Sequence, residues 1–178
     1  VRKERDHARA QRDIASGERH VQELADMVDQ LLALARGQAT AREPVRCDVQ
    51  DVVAERVAAH QPAAAHAGVT LALGANPPCE HRLTPHTLDT VLNNLIGNAL
   101  KYTPSGGHVQ VWVSNDDELV IHVKDSGVGI PAAFLPDVFA PFARAPDAAR
   151  SQVPGYGLGL HLVELLVRKE GGRVEVDS

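Results

Sequence analysis

The stretch from Pro85 to Thr103 constrains the fold more than any other, because it reads as a single amphipathic helix. Leu88, Val91, Leu92, Leu95 and Ala99 recur at three- and four-residue spacing and form one apolar stripe that needs a covering layer. Thr84-Pro85 supplies the start, a capping residue followed by proline at the first helical position. Asn94 and Asn98 are one turn apart, so their amides stack on a flank of the stripe, and Lys101 falls on the same side. Two amides and a cation beside an apolar face can line a pocket for an anion and its metal. Taken alone, the same flank reads equally well as a solvated helix surface.

The neighbouring segments supply the covering layer. Val109, Val111 and Val113 alternate with polar residues, as a half-buried strand requires. Asn115-Asp116-Asp117 turns the chain into a second such strand through Leu119, Ile121 and Val123. Upstream, Asp48 is placed to cap a helix reaching about Ala67, with Val49, Val52, Val53, Val57 and Ala58 apolar and Gly68 as its stop. A strand from Val69 to Leu73 and a loop at Asn76-Pro77-Pro78 follow. Downstream, a helix over 158–170 leads through Gly171-Gly172 to a closing strand, Arg173 to Val176. This order predicts an α/β sandwich, a mixed and mostly antiparallel sheet with helices on one face.

Residues 1–36 read as helix, with a break at Ser16-Gly17. Val21, Leu24, Val28, Leu31 and Ala35 make a heptad seam that packs on the following domain or, by preference, on a partner helix. Gln38 to Arg46 reads as a linker. Only 3% of residues are aromatic, so the core has to be built from Leu, Val, Ile and Ala. A formal net charge of −5 gives no footprint for nucleic acid or an anionic membrane surface. No apolar run approaches the roughly 20 residues that span a bilayer, and no signal peptide opens the chain. Cys47 and Cys79 are isolated and read as thiols in a reducing compartment. The nine histidines form no metal-ligand pair.

Three further stretches carry chemistry. Asp125 continues the odd-numbered register of Leu119, Ile121 and Val123, so its carboxylate is expected on the buried face, where it needs a hydrogen-bond donor. An exocyclic amine on a ligand ring would serve; capping its own turn is the alternative. The run Asp125-Ser126-Gly127-Val128-Gly129-Ile130-Pro131 lets backbone approach a ligand closely. Gly155-Tyr156-Gly157-Leu158-Gly159-Leu160 opens directly into a helix, whose N-terminal N–H groups suit phosphate, although a flexible hinge explains the glycines as well. Between them, Phe139-Ala140-Pro141-Phe142-Ala143-Arg144 reads as a flap with an aromatic anchor or as a surface loop with two core contacts.

In order and spacing, NxxxNAxKYT, DSGVGIP, FxPFxR and GxGLGL resemble the N, G1, F and G2 boxes of sensor histidine kinases, within the superfamily of gyrase, heat-shock chaperone and mismatch-repair ATPases. The resemblance covers about residues 45–178, and 19–36 resemble the second helix of the family's dimerisation hairpin. It implies the Bergerat-type sandwich, with ATP and Mg²⁺ as cofactors. Asn98 would bind the Mg²⁺ that bridges the phosphates, Asn94 would support that region, and Lys101 would offer charge to phosphate. Tyr102 would lie against the nucleotide, and Asp125 would accept from the adenine amino group. Gly127, Gly129 and Ile130 would shape the pocket. Gly155, Gly157, Leu158, Gly159 and Leu160 would form the hinge and phosphate end of the ATP lid. Phe139, Phe142 and Arg144 would position that lid, with Arg144 also helping to stabilise the transferring phosphate. ATPase members carry a Glu four residues before the metal-binding Asn; here that position is Asn94, an amide that cannot act as a base. Transfer to a protein acceptor is favoured over hydrolysis.

The resemblance also implies a response-regulator receiver domain as partner, and a homodimer formed through the helical hairpin. It further implies a membrane-anchored parent whose cytoplasmic portion includes this soluble segment. The phosphoacceptor motif is absent: His7 is followed by Ala-Arg-Ala and His20 by Val-Gln-Glu. The end at Val174-Glu175-Val176-Asp177-Ser178 falls short of the family's usual final hairpin. The expected organisation is therefore residues 1–40 as part of the dimerisation hairpin and 41–178 as a catalytic ATP-binding domain cut short at its C-terminus. Such a chain is not expected to phosphorylate itself. The alternative is a nucleotide-binding regulatory module that acts through its helix without kinase activity.

Overall fold

The computed structural model describes residues 44–145 and 155–178. The expected helix over 1–36 and most of the linker lie outside them. The described elements run β1 (Val45–Asp48), α1 (Val49–Ala67), β2 (Thr70–Leu73), β3 (Glu80–Leu83), α2 (Pro85–Tyr102), β4 (His108–Asn115), β5 (Leu119–Asp125) and α3 (Gly159–Lys169), with a 3-10 turn at Leu135–Asp137. In the three-stranded sheet β2-β4-β5, β2 runs parallel to β4 and β4 antiparallel to β5. β1 and β3 form a separate antiparallel ribbon; the sequence reading places Val45 and Arg46 in the linker and assigns Glu80–Leu83, beyond the Asn76-Pro77-Pro78 loop, no element. With one buried residue in β1 and none in β3, neither strand shows the alternation that marks a half-buried strand.

Helix α1 follows from its cap and stop. Asp48 occupies the capping position without a side-chain bond, and the Val49 N–H donates instead to the Cys79 carbonyl at 2.9 Å. Gly68 ends the helix at φ 68°, a left-handed conformation that glycine adopts without a Cβ clash. Val53 and Val57 are buried one turn apart against the sheet and α2. Arg56 Nε pairs with Asp89 Oδ1 at 3.1 Å, linking α1 to α2 beside that apolar contact. Cys47 and Cys79 are both buried, and burial, with the Asp48 charge second, pushes both thiols up. They stay protonated near neutrality and act as packing residues.

Helix α2 is apolar on two sides. Leu88, Leu92, Ile96, Ala99 and Leu100 pack in the main core with Val109, Val111 and Val113 of β4. Val91, with Leu95 beside it, packs instead on Leu162, Val163 and Leu166 of α3. The single stripe of the sequence reading thus splits between two cores. Ile96, outside that stripe, is fully buried, because the sheet contacts a wider arc of the helix than one stripe covers.

The expected closing strand at 173–176 is irregular. Val174 packs on the α2–α3 cluster, and side chains tie the segment near both ends of β5: Arg173 to Glu118 at 2.9 Å, and the Ile130 N–H to Ser178 Oγ at 2.7 Å. Such ties are not a backbone ladder, so no strand forms. Replacing Ile96 by alanine is expected to cost about 2–5 kcal/mol in urea unfolding. Val128→Ala, at a residue 75% exposed, is expected to stay within about 0.5 kcal/mol.

Candidate functional site

The two-sided burial of α2 leaves one polar edge, which carries Asn94, Asn98 and Lys101, all half-buried. Asn94 Nδ2 donates to the Thr90 carbonyl at 2.8 Å, which fixes the amide and turns Oδ1 outward. Helix α3 packs on the adjoining Val91 side of α2, so the glycine-rich run entering α3 lies along this edge. A Cβ at Gly159 would stand 2.9 Å from Asn94 Oδ1 and 3.6 Å from Asn98 Nδ2, and one at Gly155 would meet Lys101 Nζ. Residues 94, 98 and 101 are therefore brought together with 155–159, about 60 positions away in the chain.

The entry to α3 is held by its own apolar residue. Leu158 is 2% exposed, so its side chain is turned inward. Leu160 is half-buried. The N-cap residue Leu158 makes no side-chain capping bond, and the backbone N–H groups of the first turn of α3 lie at a positive dipole end. Gly157 is required twice over: φ is 72°, and a Cβ would press on the Phe142 carbonyl carbon at 2.7 Å and the Ala143 nitrogen at 2.9 Å. The Phe142–Ala143 backbone thus lies against Gly157. Phe142 has φ 63° and is 59% exposed, while Phe139 and Arg144 are half-buried.

The other boundary is stitched to the C-terminus of α2. The Val128 N–H donates to the Tyr102 carbonyl at 3.2 Å, and a Cβ at Gly127 would stand 2.5 Å from that same oxygen. Lys101 Nζ lies 5.0 Å from the Tyr102 ring centroid, a cation over an aromatic face. Thr103 Oγ1 donates to the Ala99 carbonyl at 2.7 Å and closes the helix. Gly129 has φ 72° and lies beside Ser178, which accepts from the Ile130 N–H.

Asp125 pairs with Val109 in the β4–β5 register, which puts it on the core face of the sheet. It is nevertheless exposed, contrary to the expectation of a buried carboxylate. The physical reason is its place at the end of β5, the edge strand of its sheet. Its Oδ1 accepts the Gly127 N–H at 2.9 Å, the turn-capping bond that was the alternative reading. That bond also aims the carboxylate along the loop that approaches Tyr102.

One residue of the site went unnoticed in the sequence. His161, in the first turn of α3, places Nδ1 2.9 Å from the Phe139 carbonyl. A histidine just past a glycine-rich run has no pattern of its own.

The profile of the histidine kinase-, DNA gyrase B-, and HSP90-like ATPases matches residues 84–178. The signal transduction histidine-protein kinase AfsQ2 of Streptomyces coelicolor is 38% identical over 156 residues, 87% of this chain and 28% of AfsQ2. The sensor histidine kinase WalK of Bacillus subtilis is 44% identical over 91 residues, 49% of this chain and 15% of WalK. The structure of full-length ShkA in complex with AMPPNP superposes with a TM-score of 0.69 at 25% identity, covering 90% of this chain and 34% of that one. The chain thus spans about a third or less of the length of these relatives. Fold and relatives together define a histidine kinase catalytic domain. The chain belongs to the histidine kinase-, DNA gyrase B-, and HSP90-like ATPase family.

Gly157→Ala is expected to lower stability by about 1–3 kcal/mol through left-handed strain and displacement of Ala143. Unfolding curves of this variant and of Gly106→Ala provide the check. Gly106 also has positive φ but has nothing within 4 Å of its Cβ position, so it carries the strain without the collision.

Proposed function

We propose that this chain is the ATP-binding catalytic part of a two-component sensor histidine kinase. In this reading the γ-phosphoryl group of Mg·ATP passes to a histidine on a phosphoacceptor helix, and then to an aspartate of a response-regulator receiver domain. The observation that carries the reading is the meeting of the Asn94–Asn98–Lys101 edge with Gly155–Gly159 at the N-terminus of α3. Amides, a cation and the backbone N–H groups of the α3 entry converge there, a donor set for phosphate.

The described residues contain no group of three His, Cys, Asp or Glu able to hold a metal. An ion caged by protein therefore does not fit, whereas Mg²⁺ arriving with phosphates and waters needs only one or two protein ligands. Asn98, on the edge facing Gly159, suits that part. Bound there, the ion would neutralise phosphate charge. Asn94 supports the same edge, and its amide has no basic site with which to activate water. Lys101 offers charge to phosphate, and Arg144 is assigned to the transferring group. Asp125 is assigned to the adenine amino group, with Tyr102, Gly127, Gly129 and Ile130 around the nucleoside, and Phe139 and Phe142 are assigned to positioning the lid. Gly155, Gly157, Leu158, Gly159 and Leu160 are assigned to the phosphate end.

Residues 1–40 are assigned to the dimerisation hairpin and 41–178 to the catalytic domain, the parent acting as a homodimer on the cytoplasmic side of a membrane. No helix among the described residues is long and apolar enough to cross one. Calorimetry with Mg·ADP tests the site. Asp125→Asn is expected to lose at least about tenfold in affinity, the scale of a hydrogen bond to a charged group. Asn98→Ala is expected to lose about fivefold, and only when Mg²⁺ is present. Supplying a separate phosphoacceptor hairpin tests the chemistry: phosphotransfer to it supports the kinase, whereas nucleotide binding without transfer supports a regulatory module.

A further inference from the structure

We infer that His161 is a positioning residue of the nucleotide site, holding the Phe139–Ala143 loop against Gly157 through its Nδ1–H. The Phe139 oxygen is a carbonyl and can only accept, so the acceptor fixes the tautomer: Nδ1 of His161 carries the proton. The bond spans 22 positions and joins the first turn of α3 to a loop with little regular structure of its own. That loop needs holding. Its internal ties are single turns, Ala140 N–H to the Asp137 carbonyl at 2.9 Å and Ala143 N–H to the Ala140 carbonyl at 3.2 Å. Phe142 inside it keeps φ at 63°, a region unfavourable for a residue with a Cβ.

The consequence reaches the site through backbone. Phe142 and Ala143 press on Gly157, which lies between Gly155 on Lys101 and Gly159 on Asn94 and Asn98. Fixing the loop therefore fixes how the glycines lie along the polar edge of α2. His161 is well suited to the task because Leu158, Leu162 and Val163, all at most 2% exposed, anchor the turn that carries it. The donor thus sits on the rigid partner and the acceptor on the loop. His161 acts on the site through the backbone of the loop that Phe139 opens.

This inference rests on the nucleotide-site reading above, and its test separates the two. Mg·ADP is titrated into the 178-residue chain and into His161→Leu and His161→Asn, with urea unfolding to show that each variant folds. The Asn Nδ2–H can replace the Nδ1–H, whereas Leu cannot donate. Affinity is expected to fall about fivefold in His161→Leu, the scale of one hydrogen bond, and to stay within about twofold in His161→Asn. Unchanged affinity in His161→Leu overturns the inference, as does an equal loss in both variants, which would make the ring's bulk the important part. Failure of the wild-type chain to bind Mg·ADP refutes the nucleotide reading instead. Hydrogen exchange of the 139–145 amides then still judges His161. Faster exchange in His161→Leu than in both the wild type and His161→Asn upholds the positioning role, and equal rates remove it.

Discussion

Everything in the structure depends on the burial of α2 on two sides at once. Its Leu92 and Ile96 are fully buried against β4 and α1, and its Val91 is buried against α3. Full burial of side chains of this size is worth about 1.5–3 kcal/mol each, and with two separate faces engaged the helix has no freedom to roll. Rotation is what would ruin the site, because Asn94, Asn98 and Lys101 share the one edge that neither core covers. Helix α3 is seated by the second of those cores. The glycine-rich entry to α3 meets the amide edge because Leu162, Val163 and Leu166 are packed on the neighbouring side of the same helix.

The C-terminus of α2 does the corresponding work at the other end of the site. Its Tyr102 carbonyl receives the Val128 N–H, and Gly127 passes close enough to that oxygen to exclude any side chain. Asp125, at the last position of β5, engages the same loop through the Gly127 N–H. One helix thus carries the polar edge of Asn94, Asn98 and Lys101 along its length and anchors the loop beside Asp125 at its end. Precision at both places comes from rigid elements, with the loops fastened to them by backbone bonds.

Several of these features were legible in the sequence because local signals and packing agree. The Thr84-Pro85 start, the Gly68 stop, the β4–β5 alternation and the order of the four polar and glycine-rich runs all survive in the fold. What was illegible depends on partners remote in the chain. The β1–β3 ribbon pairs residues more than 30 positions apart and buries almost nothing, so no periodicity announces it. Ile96 looks like the wrong side of the stripe until a sheet is laid across it. His161 acquires its role only when Phe139 is brought to it. The Asp125 register was correctly placed on the core face, but register alone does not say that the strand lies at an edge.

The central claim is that the loop at Asp125 and the glycines entering α3 belong to one adenine nucleotide site. Comparing ADP with inosine diphosphate by calorimetry, both with Mg²⁺, tests it most directly. The two ligands share ribose and phosphates, but the inosine base carries a C6 carbonyl and an N1–H where adenine has the exocyclic amine and a bare N1, so it sets an acceptor against the Asp125 carboxylate in place of a donor. The account expects inosine diphosphate to bind at least about tenfold more weakly than ADP, the scale of one charge-assisted hydrogen bond. That preference is expected to shrink or reverse in Asp125→Asn, whose amide can also donate to the C6 carbonyl. Equal affinity of the wild-type chain for the two nucleotides would contradict it.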